Sequence, residues 1–321
     1  MSPFNKDSTA EEITQAFSSQ IKDRIFLITG TSASGIGAYV ATSLARHSPA
    51  QLILVARTKS KVDPVIQEIA TINPGLKVTF VSCELTDRDS VREAADTINN
   101  DETIPHIDVI INNAGVMMLP EYQRDKTGYE VQLSANHLGH FLLTNLLLPK
   151  VKAAGPNARV VNVTSLGHKI TPFRFDDWNF SDGATYDGWT AYGQSKTANI
   201  LFTTELARRG VTSLAAHPGT IYGTGLARHM DFQSGGDPFA LLYEVALRNT
   251  GKEFVLDPQK TLSQGAAPLL AAALDPDLAE RSGAYIADCQ VEEAFGYSQD
   301  QENAKKLWAL SEELVGQKFP E

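Results

Sequence analysis

Short apolar runs rich in β-branched residues alternate along the chain with helix-length stretches of mixed polarity. Residues 24–29 (RIFLIT), 51–56 (QLILVA), 77–82 (KVTFVS), 107–111 (IDVII), 159–164 (RVVNVT) and 211–216 read as six strands, with a late seventh at 284–287. Between them, residues 36–47, 61–72, 90–99, 131–151 and 190–209 read as helices, and 301–315 as a closing helix. Asn73-Pro74-Gly75 stops the second of these, because proline and glycine cannot continue it. Strands that are apolar nearly throughout are covered on both faces, and their alternation with helices gives parallel βαβ units. The pattern therefore predicts an α/β fold with one doubly wound parallel sheet, whose ligands bind at the carboxyl ends of the strands. Residues 1–22 form a lead-in, where Ser8-Thr9-Ala10-Glu11-Glu12 caps a short helix running to about Ile21. Residues 23–321 form the domain itself, and its least regular part, 222–258, is suited to a lid over a substrate.

With 321 residues, 42 % of them hydrophobic, the chain can bury a large core and sits at the upper end of one domain. The net charge of −10 and the absence of a basic run argue against a nucleic-acid partner. Two cysteines, Cys83 and Cys289, give no disulfide framework and no metal-ligand spacing, which fits a reducing compartment. Cys83 lies in an apolar run, as a buried inert thiol does. The greasiest stretch, 141–148, is interrupted by Thr144 and Asn145 and stopped by Pro149. It falls short of the ~20 apolar residues that a membrane span needs. The first 24 residues lack an apolar signal core. The expectation is a soluble, cytoplasmic protein with no membrane span.

Chemistry enters at the end of the first strand, in Thr29-Gly30-Thr31-Ser32-Ala33-Ser34-Gly35-Ile36-Gly37. Glycines let a backbone turn tightly against a pyrophosphate, and the helix that follows offers free N–H groups and a partial positive charge. A plain strand-to-helix turn has a similar composition, so the flanking strand and helix carry the dinucleotide reading. The ribose-reading position lies about 20 residues on, at the end of the second strand. There the chain has Ala56-Arg57-Thr58-Lys59 with Lys61 close behind, and no acid. A guanidinium beside that ribose favours a 2′-phosphate, which points to NADP(H) rather than NAD(H).

Three further groups follow later strands. Asn112-Asn113-Ala114-Gly115 follows the fourth and Ser165 the fifth, and Tyr192 and Lys196 stand four apart on the next helix. That spacing puts both on one helix face. A cation beside a phenol favours phenolate, so the sequence predicts a Tyr192 pKa drawn below its usual ~10. Such a tyrosine can give a proton to a forming alkoxide or take one from an alcohol. A Tyr and a Lys four apart are common by chance. The order of the groups, all at strand carboxyl ends, gives the pair its weight. Tyr186 has Thr190 where a lysine would be needed, which leaves Tyr192 as the candidate.

Taken together, Thr29-Gly30…Gly35-Ile36-Gly37, Asn112-Asn113-Ala114-Gly115, Asn136, Ser165, Tyr192-x-x-x-Lys196 and His217-Pro218-Gly219-Thr220 resemble the short-chain dehydrogenase/reductase family over about residues 22–290. The resemblance implies a Rossmann-type domain with Ser165, Tyr192, Lys196 and Asn136 as the catalytic set. In that set Lys196 bonds the nicotinamide ribose, and Asn136 supports a proton-relay water. It also implies that Pro218, Gly219, Thr220 and Ile221 contact the nicotinamide end. Asn113, Ala114 and Gly115 would line the adenosine-ribose side, with Glu84 and Leu85 beside the adenine. The family usually has Asp at position 84. Its glycine turn also has three residues where this chain has four, Thr31–Ser34, so the phosphate contacts of Ser32 and Ser34 stay open. The stretches 138–145 and 192–199 and the 27-residue interval from Ser165 to Tyr192 are similar to the retinol-dehydrogenase-like branch. That branch tends to use NADP(H), and some of its members act on bulky apolar substrates. Family members also tend to form homo-dimers or homo-tetramers.

The resulting expectation is an enzyme that transfers hydride between NADP(H) and a small-molecule carbonyl or alcohol, with no metal. An NADP(H)-binding regulator without catalysis, or an epimerase or dehydratase of the same superfamily, is the alternative. His168 reads as a loop histidine near Ser165, and His137 and His140 read as packing residues. Phe173, Phe175, Trp178, Phe180 and Trp189 either wall an apolar pocket or cover the edge of the domain.

Overall fold

Seven of the apolar runs become strands of a single sheet in the computed structural model, which describes residues 3–227, 237 and 239–320. They are β1 (Ile25–Thr29), β2 (Gln51–Ala56), β3 (Lys77–Ser82), β4 (Val109–Asn112), β5 (Arg159–Val163), β6 (Ser213–Ala216) and β7 (Tyr285–Ala287), all parallel. The order across the sheet is β3-β2-β1-β4-β5-β6-β7-β8, the last being a short strand at Gln290–Glu292. After β3 the chain crosses back to the far side of β1, so the sheet's topological switch lies between β1 and β4. A crevice opens at that point beyond the carboxyl ends of the strands.

Alternate residues of each strand feed opposite cores, as a two-residue period requires. Leu27, Ile53, Val55, Ile110 and Val160 pack on one face, under α4 (Arg88–Asn100), α5, α6 (Gly188–Arg208) and α9 (Gln301–Val315). Here α5 is one helical run made of Val131–Leu133, Ser134–Leu138 and Gly139–Ala153. Phe26, Ile28, Leu52, Leu54, Val109 and Ile111 pack on the other face, under α1 (Ala10–Ala16), α2 (Ile36–Ala45), α3 (Asp63–Ile72) and α8 (Leu262–Leu274).

Some features go beyond the sequence pattern. A short strand β8 (Gln290–Glu292) pairs antiparallel with β7, so the sheet is parallel except at this edge. Helix α8 shows no amphipathic stripe, because every residue from Gly265 to Leu274 is buried. The lead-in helix ends at Ala16 instead of Ile21, and the chain continues as a 3₁₀ turn, Ser18–Gln20. Its expected capping box forms between Thr9 and Glu12. The segment is docked, since Ala10, Ile13 and Ile21 are wholly buried and Ala10 N donates to Ser263 Oγ on α8 at 3.0 Å. Both cysteines are buried, and burial pushes each thiol up to about 12, so neither is a reactive thiolate. Among the described residues, no helix is long and apolar enough to cross a membrane.

Candidate active site at the carboxyl end of the sheet

The turn after β1 is shaped by crowding. A Cβ on Gly30, whose φ is +73°, would stand 2.7 Å from Ala114 Cα. One on Gly37 would stand 2.5 Å from Asn113 Nδ2 and 2.6 Å from the Gly30 carbonyl oxygen. The extra residue is absorbed by Ser34, which adopts a left-handed φ of 66°. Gly35 then caps α2 with no side-chain bond to its first N–H groups. The leading turn of α2 therefore keeps its donors for a ligand, the arrangement that suits a phosphate. Ser32 is half-buried and Ser34 exposed at the rim, while the hydroxyl of Thr31 is buried without a partner.

The segment after β4 is laced to this turn. Thr29 Oγ1 accepts from Asn113 N and from Ala114 N, each at 2.9 Å, and the Asn113 side chain donates to Thr29 O at 2.8 Å. With two donors already on its oxygen, the Thr29 hydroxyl proton points to His140 Nε2, 2.9 Å away. His140 must then carry its proton on Nδ1, which donates to the carbonyl of Asn136 at 3.0 Å. Burial holds this imidazole neutral, with its pKa lowered to about 4. His140 thus does more than pack, since it ties the β1 turn to Asn136.

Asn136 lies in the π-helical turn Ser134–Leu138 of α5, a widening that tends to mark functional positions. Its side chain is fully engaged. Oδ1 accepts from Val116 N at 2.8 Å, and Nδ2 donates to Val116 O and Ser195 Oγ, each at 2.9 Å. Gly115 backs onto this amide and onto Lys196, with Asn136 Oδ1 and Lys196 Nζ at 3.2 and 3.6 Å from the place its Cβ would occupy.

Tyr192 and Lys196 project from one face of α6, both buried, with Lys196 Nζ 5.6 Å from the centre of the Tyr192 ring. Lys196 Nζ also donates to Val163 O at 3.2 Å. Gly167, two residues past Ser165, lets the Tyr192 ring approach to 2.8 Å from where a Cβ would sit. Ser165 Oγ accepts from Gly167 N at 3.0 Å.

Ser165, Tyr192 and Lys196 floor a cleft beyond the carboxyl ends of the strands. Ile36, Asn113, Gly115, Ser165, Tyr192, Lys196 and Pro218–Ile221 line one end. Met117, Leu166, Ile170 and Trp189 line the other, together with Phe239, which precedes α7 (Ala240–Thr250), Leu242 within it, and Phe254 and Leu256 after it. Of the 222–258 segment, Tyr222, Thr224 and Leu226 also line the cleft, and residues 228–236 and 238 lie outside the described residues.

A family model described as short chain dehydrogenase matches residues 24–176. Retinol dehydrogenase 11 of Homo sapiens is 36 % identical over 325 residues, covering 98 % of this chain and 95 % of that protein. Retinol dehydrogenase 13 of Homo sapiens is 36 % identical over 94 % of this chain and 87 % of its own. Among solved structures, an uncharacterised protein of Mycobacterium paratuberculosis superposes with a TM-score of 0.67 at 30 % identity, covering 94 % of this chain and 96 % of its own. The chain belongs to the short-chain dehydrogenase/reductase family. Within it, the chain sits with the retinol-dehydrogenase-like proteins.

A short-chain dehydrogenase/reductase is an oxidoreductase that works with a nicotinamide dinucleotide, and the glycine cradle with its uncapped helix end fits such a group. One expectation needs correcting. Tyr192 is not drawn below the usual tyrosine value in this short-chain dehydrogenase/reductase. Burial pushes it up to about 12, only partly offset by its hydrogen bond with Ser165. Burial also lowers Lys196 to about 8, because desolvation disfavours the charged form of either group. The site therefore holds a protonated phenol beside an ammonium that gives up its proton readily.

Several other residues fall where the sequence left them open. His168 is wholly buried behind Ser165, donating from Nδ1 to its carbonyl at 2.7 Å, and lies outside the cleft. Trp189 alone of the five aromatics reaches the cleft. Phe173, Phe175 and Trp178 join the core, and Phe180 packs on Tyr186. Tyr186 is committed structurally, donating to Leu119 O at 2.8 Å and accepting from Gln132 Nε2 at 3.0 Å. Asp257, which no motif points to, meets His217 Nε2 at 3.1 Å while Gly219 N donates to His217 Nδ1 at 3.3 Å. Lys260 lies over Gly219 and pairs with Asp288. Together they tie residues 257–260 to the loop around Gly219. The HPG tripeptide hints at His217, whereas nothing local marks a partner 40 residues later.

Proposed function

We propose that this chain is an NADP(H)-dependent oxidoreductase that interconverts an apolar aldehyde or ketone and its alcohol. The observation that carries the reading is the buried Tyr192 phenol beside Lys196, both lining a cleft that Met117, Leu166, Ile170 and Trp189 make apolar. The relatives named retinol dehydrogenases support an apolar alcohol or aldehyde as the substrate class.

Gly30, Ser32, Ser34, Gly35, Ile36 and Gly37 would hold the pyrophosphate, Glu84 and Leu85 the adenine, and Arg57 and Lys61 the 2′-phosphate. Asn113–Gly115 and Pro218–Ile221 would hold the ribose and nicotinamide portions. When bound, the nicotinamide supplies or receives the hydride. Tyr192 donates its proton to the carbonyl oxygen as charge develops there, and Ser165 holds that oxygen in place. Lys196 grips the ribose and returns a proton toward Tyr192. The Asn136 carbonyl, which accepts from His140 Nδ1, would support a relay water.

A screen of apolar aldehydes, ketones and alcohols is expected to show turnover with NADPH or NADP⁺ exceeding that with NADH or NAD⁺. Turnover confined to the NAD pair would defeat the cofactor assignment, and no turnover with any member would defeat the reaction. A second outcome concerns pH. Lys196 loses its proton near about 8 in the free chain, well below the ordinary lysine value. Its grip on the ribose is therefore complete below that pH and is lost above it. Accordingly kcat/KM for NADPH, which reports groups of the free enzyme, is expected to be flat to about pH 8 and to fall above it. Lys196→Arg should remove the inflection, and an unchanged profile in that variant would show that another group titrates.

A further inference from the structure

We propose that Glu84 tunes the choice between the two dinucleotides by competing with the 2′-phosphate for Arg57. The proposal rests on the reading of Arg57 as the 2′-phosphate ligand and adds an opposing residue to it.

The pairing follows from strand register. β2 and β3 run parallel with Ala56 opposite Ser82, and Cys83 N donates to Ala56 O at 3.1 Å, which carries the alignment past the strand ends. Arg57 consequently leaves the sheet beside Glu84, and its Nη1 meets Glu84 Oε2 at 3.3 Å. The carboxylate is held rather than loose. Its other oxygen, Oε1, accepts from Thr86 N at 3.2 Å and from Thr86 Oγ1 at 2.9 Å. The Glu84 backbone N–H donates to Ser90 Oγ at 3.0 Å, fixing the residue to the first turn of α4. Both partners face solvent at the edge of the crevice, with side-chain exposures of 58 % for Arg57 and 36 % for Glu84. A ligand can therefore reach the pair.

Of the neighbouring cations, Lys59 is paired with Asp63, and the exposed Lys61, whose carbonyl accepts from Ala33 N in the glycine turn at 2.9 Å, stands with Arg57 as the second 2′-phosphate ligand.

A 2′-phosphate binding a guanidinium prefers two parallel N–H bonds. To form them it must displace Glu84 Oε2 or share Arg57 with it, and two anions on one cation repel each other. A 2′-hydroxyl meets no such penalty, because a carboxylate can accept its proton. Glu84 therefore weakens the preference that Arg57 creates. The aspartate usual at this position in the family is one methylene shorter, which withdraws the charge from Arg57.

Fragment probes isolate this corner from nicotinamide and substrate. Adenosine 2′,5′-bisphosphate and adenosine 5′-monophosphate are titrated calorimetrically into the full chain, and NADPH and NADH by fluorescence. Glu84→Gln keeps an acceptor for Thr86 and removes the charge. It is expected to raise the bisphosphate-to-monophosphate affinity ratio roughly fivefold, the upper range for an exposed ion pair, with NADPH over NADH rising in step. Glu84→Asp should move the ratio the same way. Arg57→Ala in the wild-type background should lower the ratio roughly tenfold and erase the effect of Glu84→Gln. If Glu84→Gln leaves the ratio unchanged or lowers it while Arg57→Ala still lowers it, Glu84 is not a competitor and the NADP(H) assignment survives. If Arg57→Ala itself leaves the ratio unchanged, that assignment falls and this proposal falls with it.

Discussion

Tyr192→Phe is expected to cut turnover about a thousandfold, within the range that one positioned proton donor contributes. The ring stays buried against Gly167, so the fold and the dinucleotide cleft keep their shape. NADPH should bind within about twofold of the wild-type Kd, which marks the loss as one of transition-state stabilisation. Steady-state kinetics on the best substrate of the screen, with a fluorescence titration of NADPH, decides the matter. A variant that retains wild-type kcat would remove the phenol from the chemistry. A variant that loses NADPH affinity by the same factor as kcat would show that the hydroxyl serves binding. The direction of the pKa perturbation adds a corollary. Burial keeps Tyr192 protonated throughout the physiological range, so the reductive reaction should not lose a required phenolic proton as pH rises to neutrality.

Gly37→Ala is expected to weaken NADPH binding roughly a hundredfold. Its methyl group would intrude on Asn113 Nδ2 and on the Gly30 carbonyl, both far inside contact distance. Neither can retreat cheaply. Asn113 Nδ2 donates to Thr29 O at 2.8 Å, and the Gly30 carbonyl belongs to the turn that carries the phosphate cradle. Relief must come from moving α2 away from the β1 turn, which displaces the N–H groups offered to the ligand. Overpacking of this kind also costs about 1–3 kcal/mol of stability, so a lower melting temperature should accompany the loss. Far-UV circular dichroism separates misfolding from a displaced helix. A folded Gly37→Ala protein that binds NADPH as tightly as the wild type would refute the role given to this turn.

The strands were legible because each is a dense apolar run bounded by turn residues. β2 and β3 occupy 51–56 and 77–82, and the last helix occupies 301–315, as the pattern predicts. Helix α8 and strand β8 were not legible. The first is apolar on every side, and the second is three residues long and partly exposed, so neither carries a period to read. The π-helical turn at Asn136 left no local signal either, since the sequence from Val131 to Ala153 reads as one uninterrupted helix.

Local sequence was enough to establish the sheet, the glycine turn, and the order in which Ser165, Tyr192 and Lys196 follow the fifth strand. Periodicity and spacing are properties of neighbours along the chain, and these features depend on them. Tertiary structure alone decided the protonation balance, because the sequence shows that a lysine stands near a tyrosine but not that both are desolvated. It also decided that Glu84 meets Arg57, that Asp257 holds His217, and that His140 joins Thr29 to Asn136. Each of these contacts spans a distance along the chain that only strand order and helix docking can close.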